Sequence, residues 1–218
     1  MRARIATAAR DAGRDPRDIT LIAVTKFFPA SDVDLLAAHG VSDVGESRDQ
    51  EARAKRAQVV AGGLRWHFVG RLQRNKAASV GSWAAAVHSV DRVELVAALG
   101  SGARRAAHRV DVFVQVSLDG APGRGGVALA GLLSVAQAVA ADPHTRLRGV
   151  MAVAPQSLPA EQAFGLLGEA AAGLRERYPD ADAISAGMSG DFEAAIAQGA
   201  THLRVGSALL GRRPPIVS

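Results

Sequence analysis

The sequence predicts one (β/α)₈ barrel on three observations: a length of 218 residues, an eightfold alternation of short β-branched segments with longer alanine-rich ones, and a first strand-to-helix turn without glycine. Barrels of this kind commonly run about 200–250 residues as one domain. Strand-like segments fall at 20–26, 41–46, 64–69, 86–90, 110–118, 147–154, 182–186 and 202–207. Eight parallel strands are the number that closes a barrel. Between them, apolar residues recur at helical spacing over 30–39, 48–61, 75–80, 92–107, 128–140, 159–177 and 192–198, the pattern of βαβ units. A doubly wound open sheet produces the same alternation, but its first turn carries a glycine-rich dinucleotide fingerprint. Here that turn reads VTKFFPAS, and no GxxxxGK[ST] loop occurs in the chain, so the barrel is preferred.

The connections carry matching punctuation. Ser31, Asp91, Asp142 and Ser189 place polar side chains near helix starts, and Gly40 and Gly199 follow helical runs where a left-handed cap is favoured. No linker or low-complexity segment divides the chain, so residues 1–218 are expected to form a single domain. The region before Asp18 reads as a shortened amphipathic helix, which would leave one barrel end less well covered.

Composition narrows the function classes. Hydrophobic residues make up 48% of the chain, enough for one large core, and no apolar run reaches the roughly 18–20 residues of a bilayer span. The first residues, MRARIATAARDAGRD, lack a secretory pattern, and there is no cysteine. A cytoplasmic protein without membrane contact is expected. The net charge of +5 raises nucleic acid as a partner. However, the arginines are scattered (Arg2, Arg53, Arg104, Arg146, Arg175, Arg212) and are not interleaved with aromatics as a stacking platform requires. The positive charge better suits attraction of a small phosphorylated ligand.

Chemistry in such barrels sits at the C-terminal ends of the strands. Lys26 closes the apolar run from Leu21 to Val24 and precedes Phe27, Phe28 and Pro29, which puts an amine at the barrel mouth beside hydrophobic surface. Taken alone, it reads as a lysine snorkelling out of a strand end. A lysine amine near its ordinary pKa of about 10.4 is a poor nucleophile toward an aldehyde, and desolvation or neighbouring positive charge lowers that value. The seventh strand runs into Ser185-Ala186-Gly187-Met188-Ser189-Gly190-Asp191 and the eighth into Arg204-Val205-Gly206-Ser207. Small, hydroxyl-bearing turns after strands seven and eight are the recurrent phosphate site of this fold. Ordinary turn and cap chemistry explains either turn alone, with Ser189 capping the helix that Asp191 and Glu193 begin. Together, a lysine on strand one and two anion-suited turns make a phosphate-bearing aldehyde a coherent ligand.

The motifs Val24-Thr25-Lys26, Gly45-Glu46-Ser47 with Gln50-Glu51, WHFVGRLQRNK, Val87-His88-Ser89-Val90-Asp91 and SAGMSGDFEAAIAQGATHLRVGSALLGRR follow one another along nearly the whole chain. In that order they resemble the YggS-type pyridoxal phosphate (PLP) homeostasis proteins, whose fold is similar to the N-terminal barrel domain of alanine racemases. The resemblance implies a PLP-binding protein without established turnover, concerned with cofactor supply and vitamin B6 balance. It implies that Lys26 forms the Schiff base, that Ser185, Gly206 and Ser207 hold the phosphate, and that Arg204 faces the pyridine nitrogen. Gly187 and Met188 belong to the same cofactor turn, and Ser47 is placed near the ring. An arginine there donates and cannot accept, so the ring nitrogen stays unprotonated and the ring is a poorer electron sink. The chain departs from the family at Ser47, where asparagine is usual, at Ser117 after Gln115-Val116, where asparagine is again frequent, and at Arg124, where lysine is usual.

Other conspicuous residues have plainer readings. His67 and His88 lack the clustered acids or cysteines of a metal site, so no metal is expected and packing or hydrogen bonding explains them. Trp66 and Trp83 read as packing residues. Asn75 and Lys76 suit either the mouth or a helix start. Gly123, Arg124, Gly125 and Gly126 form a basic loop expected to fold over bound cofactor. Two functional classes remain, a cofactor carrier that passes PLP to apo-enzymes and a racemase-like enzyme. In alanine racemases the second base is a tyrosine from an additional β domain. This chain has only Tyr178, in a predicted helix away from the mouth. The carrier, expected as a monomer, is preferred.

Overall fold

The computed structural model describes residues 1–121 and 123–211; the tail at 212–215 lies outside them. Eight strands form the barrel: β1 (Thr20–Val24), β2 (Asp43–Glu46), β3 (Arg65–Phe68), β4 (Ala86–Val90), β5 (Val110–Ser117), β6 (Thr145–Met151), β7 (Ala183–Ser185) and β8 (His202–Val205). Their order is β4-β3-β2-β1-β8-β7-β6-β5, and β5 pairs back onto β4. Every pairing is parallel, so the sheet closes and no barrel strand is left as an edge.

The helices are α1 (Arg2–Asp11), α2 (Ala30–Ala38), α3 (Asp49–Arg56), α4 (Arg74–Gly81), α5 (Glu94–Arg105), α6 (Leu132–Ala141), α7 (Ala160–Arg177), α8 (Phe192–Ala197) and α9 (Ser207–Leu210). As expected, Gly40 and Gly199 follow α2 and α8 with φ of +78° and +92°, a conformation that costs glycine least. The predicted helix at 48–61 stops at Arg56. Gln58-Val59-Val60 brings a β-branched pair before Gly62 and Gly63, and Asp34 Oδ1 accepts from Val60 N and Ala61 N at 3.0 and 2.8 Å, drawing the chain away from the helical path. Ala128, read as a helix start, instead belongs with Val127 to a short strand that pairs with Val116 and Ser117 of β5. No helix among the described residues is long and apolar enough to cross a membrane.

The main core lies between barrel and helices, where Val44, Phe68, Leu72, Val112, Phe164, Leu167 and Ile196 are buried; each large side chain removed from water contributes roughly 1.5–3 kcal/mol. Inside the barrel, Ala86, Phe113, Met151 and Ala183 form a separate apolar cluster. α1 lies across the N-terminal end of the barrel. Arg14 donates to the carbonyls of Ile196 and Ala200 at 2.9 and 2.8 Å, and Arg2 donates to that of Gly40. Basic side chains thus add hydrogen bonds to carbonyls at and just past the ends of α8 and α2. Beneath α1, a cavity of about 420 Å³ reaches Asp43.

Candidate functional site

β1 ends at Val24, two residues earlier than predicted, so Lys26 stands in the turn beyond it. Phe28 N donates to Thr25 O at 3.0 Å to close that turn. Phe27, directly after the lysine, has φ +72°, a strained conformation for a bulky side chain. The strain is met by α3. Glu51 Oε1 accepts from Phe27 N at 2.7 Å, while Lys55 Nζ donates to Thr25 O at 2.8 Å and to Glu46 Oε1 at 2.6 Å. Thr25 Oγ1 also donates to Glu46 Oε1, at 2.7 Å. The residues on either side of Lys26 are therefore gripped by one helix. Burial pushes the Glu46 carboxyl up, and the bonds from Lys55 and Thr25 only partly offset it.

On the other side of β1, β8 and then β7 bring up the second wall. Gly187 has φ +89°, its carbonyl accepts from Arg204 N at 2.9 Å, and a β-carbon there would lie 2.7 Å from that of Ala195. Only glycine fits this close turn. Arg204 is buried; Nη1 donates to Ser185 Oγ at 2.5 Å and Nη2 to Ala152 O at 2.9 Å. Burial lowers its pKa to about 10, against the attraction of Asp191. Ser189 does not cap α8 as predicted. Asp191 precedes that helix, and Ser189 Oγ accepts from Ala208 N at 3.2 Å, tying the seventh turn to the eighth.

A cavity of about 450 Å³ joins the two walls, with Lys26, Met188, Arg204, Gly206 and Ser207 among its lining residues. Three sequence-derived residues do not lie on this lining. Ser185 is fully buried, with its hydroxyl held between Arg204 and His88. Gly187 sits behind the turn against α8. Ser47 opens onto a neighbouring cavity of about 580 Å³ with Arg48, Arg71, Gln73 and Lys76. Asn75 lies in the first turn of α4 and is exposed, and Arg124 pairs with Asp119 at 2.9 Å. His67 and His88 are buried and hydrogen-bonded, and Trp66 and Trp83 pack in the core. Among the described residues there is no group of three or more His, Cys, Asp or Glu that could hold a metal.

Sequence reasoning missed Glu46, Glu51 and Lys55 as supports of the lysine turn. A signal existed in the i, i+4 spacing of Glu51 and Lys55, which share a helix face, with Glu46 at the mouth end of β2.

The profile of the family described as alanine racemase, N-terminal domain, matches residues 1–214. The alanine racemase of Corynebacterium glutamicum superimposes with a TM-score of 0.71 over all of this chain and 61% of its own, at 18% identity, which shows the shared fold. The barrel is thus of the alanine racemase N-terminal class. A pyridoxal phosphate homeostasis protein of C. glutamicum is 41% identical over 221 residues, covering 98% of this chain and 99% of its own. PipY of Synechococcus elongatus, solved with PLP bound, has a TM-score of 0.83 at 34% identity over 95% of this chain and 100% of its own. The chain belongs to the family of pyridoxal phosphate homeostasis proteins.

Proposed function

We propose that this chain binds PLP through a Schiff base on Lys26 and acts, as a single domain, as a carrier or buffer of the cofactor in vitamin B6 and amino-acid homeostasis. The observation that carries this reading is that Lys26, Arg204 and the Gly206-Ser207 turn line one cavity of about 450 Å³, within the range of about 300–1,000 Å³ typical of small-ligand sites. The residues fit the group: an amine for the aldehyde, an obligate donor for the ring nitrogen, and a small hydroxyl-bearing turn for the phosphate. Bound there, the cofactor supplies an electrophilic aldehyde carbon. The chain's own part is to hold the lysine turn through Glu51 and Lys55, to keep a proton on the Arg204 guanidinium, and to shelter the site with Phe28, Val69 and Val153. The PLP named in the PipY structure and the name of the C. glutamicum relative support the reading.

Absence of a catalytic cycle belongs to the same proposal. Tyr178, the chain's single tyrosine, follows the C-terminal end of α7, at the opposite end of the barrel from the mouth, so it is not placed as a second base. The carrier is proposed as a cytoplasmic monomer that gives PLP to apo-enzymes. Borohydride reduction of the PLP-loaded protein, followed by peptide mapping, is expected to find a pyridoxyl group on Lys26, with the absorption band lost in Lys26→Ala and negligible turnover of L- or D-alanine. A label on another lysine would refute the site, and robust racemisation would refute the carrier.

A further inference from the structure

A line of buried polar side chains runs through the barrel interior. Asp43, which opens β2, places Oδ1 2.8 Å from His67 Nε2 on β3. His67 Nδ1 lies 2.9 Å from His88 Nε2 on β4, and His88 Nδ1 lies 2.8 Å from Ser185 Oγ across the barrel on β7. Ser185 Oγ accepts from Arg204 Nη1. The three middle members are 1%, 0% and 0% exposed. The line begins at the cavity beneath α1, which Asp43 borders, and ends at the mouth cavity, which Arg204 borders.

The two ends dictate where every hydrogen in the line must be. A guanidinium only donates and an ionised carboxylate only accepts. Ser185 takes a hydrogen bond from Arg204, so its own hydrogen goes to His88 Nδ1. His88 then carries its hydrogen on Nε2 and gives it to His67 Nδ1, and His67 carries its hydrogen on Nε2 and gives it to Asp43. Each middle group gives one bond and takes one. A charged His67 would turn an N–H toward His88 Nε2 and reverse that ring. Ser185 would then receive two donors, and its own hydrogen would have no acceptor in the line.

The charges around the line agree with this order. Burial pushes His88 well below the ordinary histidine range, and the charge of Arg204 pushes the same way. Burial would raise Asp43, but hydrogen bonds from His67 and Ser42 and attraction to Arg65 hold it below the usual carboxylate range.

We infer that Ser185, His88, His67 and Asp43 are positioning residues for Arg204: the polarised line gives the buried guanidinium a fixed acceptor and sets which of its nitrogens is left toward the mouth. Networks of this kind strengthen each bond they contain, and supports behind a binding group commonly tune it. The line is not a proton conduit, because its mouth end is an arginine that keeps its proton. That the positioning tunes a bound cofactor rests on the function proposed above; the hydrogen order does not.

Ring ¹⁵N shifts of the labelled, ligand-free protein test the order directly. Both His67 and His88 are expected as Nε2–H tautomers with an unprotonated Nδ1. His88 found as the Nδ1–H form, or either ring doubly protonated near neutrality, would overturn it. In the PLP-loaded protein, His67→Phe, which removes a side chain absent from the cavity lining, and Ser185→Ala are each expected to shift the absorption maximum and weaken PLP binding about tenfold, with Ser185→Thr close to the wild type. Unchanged spectra and release in both variants would reduce the line to packing and end the proposal. A wild-type protein that takes up no PLP would instead refute the proposed function, and the ring tautomers alone would then decide the positioning claim.

Discussion

On the β1 and β2 side of the mouth, the turn carrying Lys26 is gripped by Glu46, Glu51 and Lys55, with an ion pair of 2.6 Å between two side chains that are 6% and 0% exposed. On the β7 and β8 side, Arg204 is as deeply buried, yet it donates to a hydroxyl and a carbonyl and forms no ion pair among the described residues. The first arrangement is stiff because opposite charges out of water hold each other strongly, and it is fragile for the same reason, since removing one charge strands the other. The second keeps a cation facing the cavity with no carboxylate in ion-pair contact among the described residues, so an incoming anion meets less competition. One wall fixes a backbone turn; the other presents charge.

The largest effect should fall on the first wall. Lys55→Met leaves the Glu46 carboxylate buried without its cation and is expected to cost about 3–5 kcal/mol in urea unfolding. Adding Glu46→Gln should restore more than half of the loss, and no restoration would show that Lys55 acts through packing alone. Arg204→Met strands only neutral acceptors and should cost no more than about 1–2 kcal/mol; a cost equal to that of Lys55→Met would erase the contrast.

Acid should act on the histidines of the barrel interior. Burial lowers the His202 pKa to about 3, with the charge of Arg148 acting in the same direction. Between the unfolded value of about 6.5 and about 3, the unfolded chain binds a proton that the folded chain does not, so stability falls as the pH is lowered through this window. A loss of roughly 1–2 kcal/mol from about pH 7 to about pH 5 is expected, with a shallower slope in His202→Gln; equal slopes would remove His202 from the account. The smallest effect concerns the strained turn. Glu51→Ala should cost roughly 1 kcal/mol with Phe27 in place and measurably less in a Phe27→Gly background, because glycine adopts φ +72° without support. Equal costs in a double-mutant cycle would mean that Glu51 does not stabilise the turn.

Much of the frame was legible in the residues themselves. The alternation from β1 to β8 and the caps at Gly40 and Gly199 follow from local periodicity and backbone preference, and both survive in the structure. Lys26 was legible because a charged residue at the end of an apolar strand has one place to be in a parallel barrel. Ser189 was misread because its partner, Ala208, is 19 residues away in the chain. Ser185 is the last residue of β7, and its contact with His88, which turns its hydroxyl inward, spans 97 residues and so left no local trace.

The sequence by itself determined the barrel, the strand end that bears the amine, and the small-residue turns after β7 and β8, because side-chain periodicity and glycine chemistry act within a few residues. Only the tertiary structure decided the conformation of Phe27, the grip of α3 on the lysine turn, and the polar line from Asp43 to Arg204. Those depend on residues brought together from different strands and helices, and hydrogen-bond direction has no signature in one dimension. It is fixed only when a group that can do nothing but donate is set, through intermediaries, against one that can do nothing but accept.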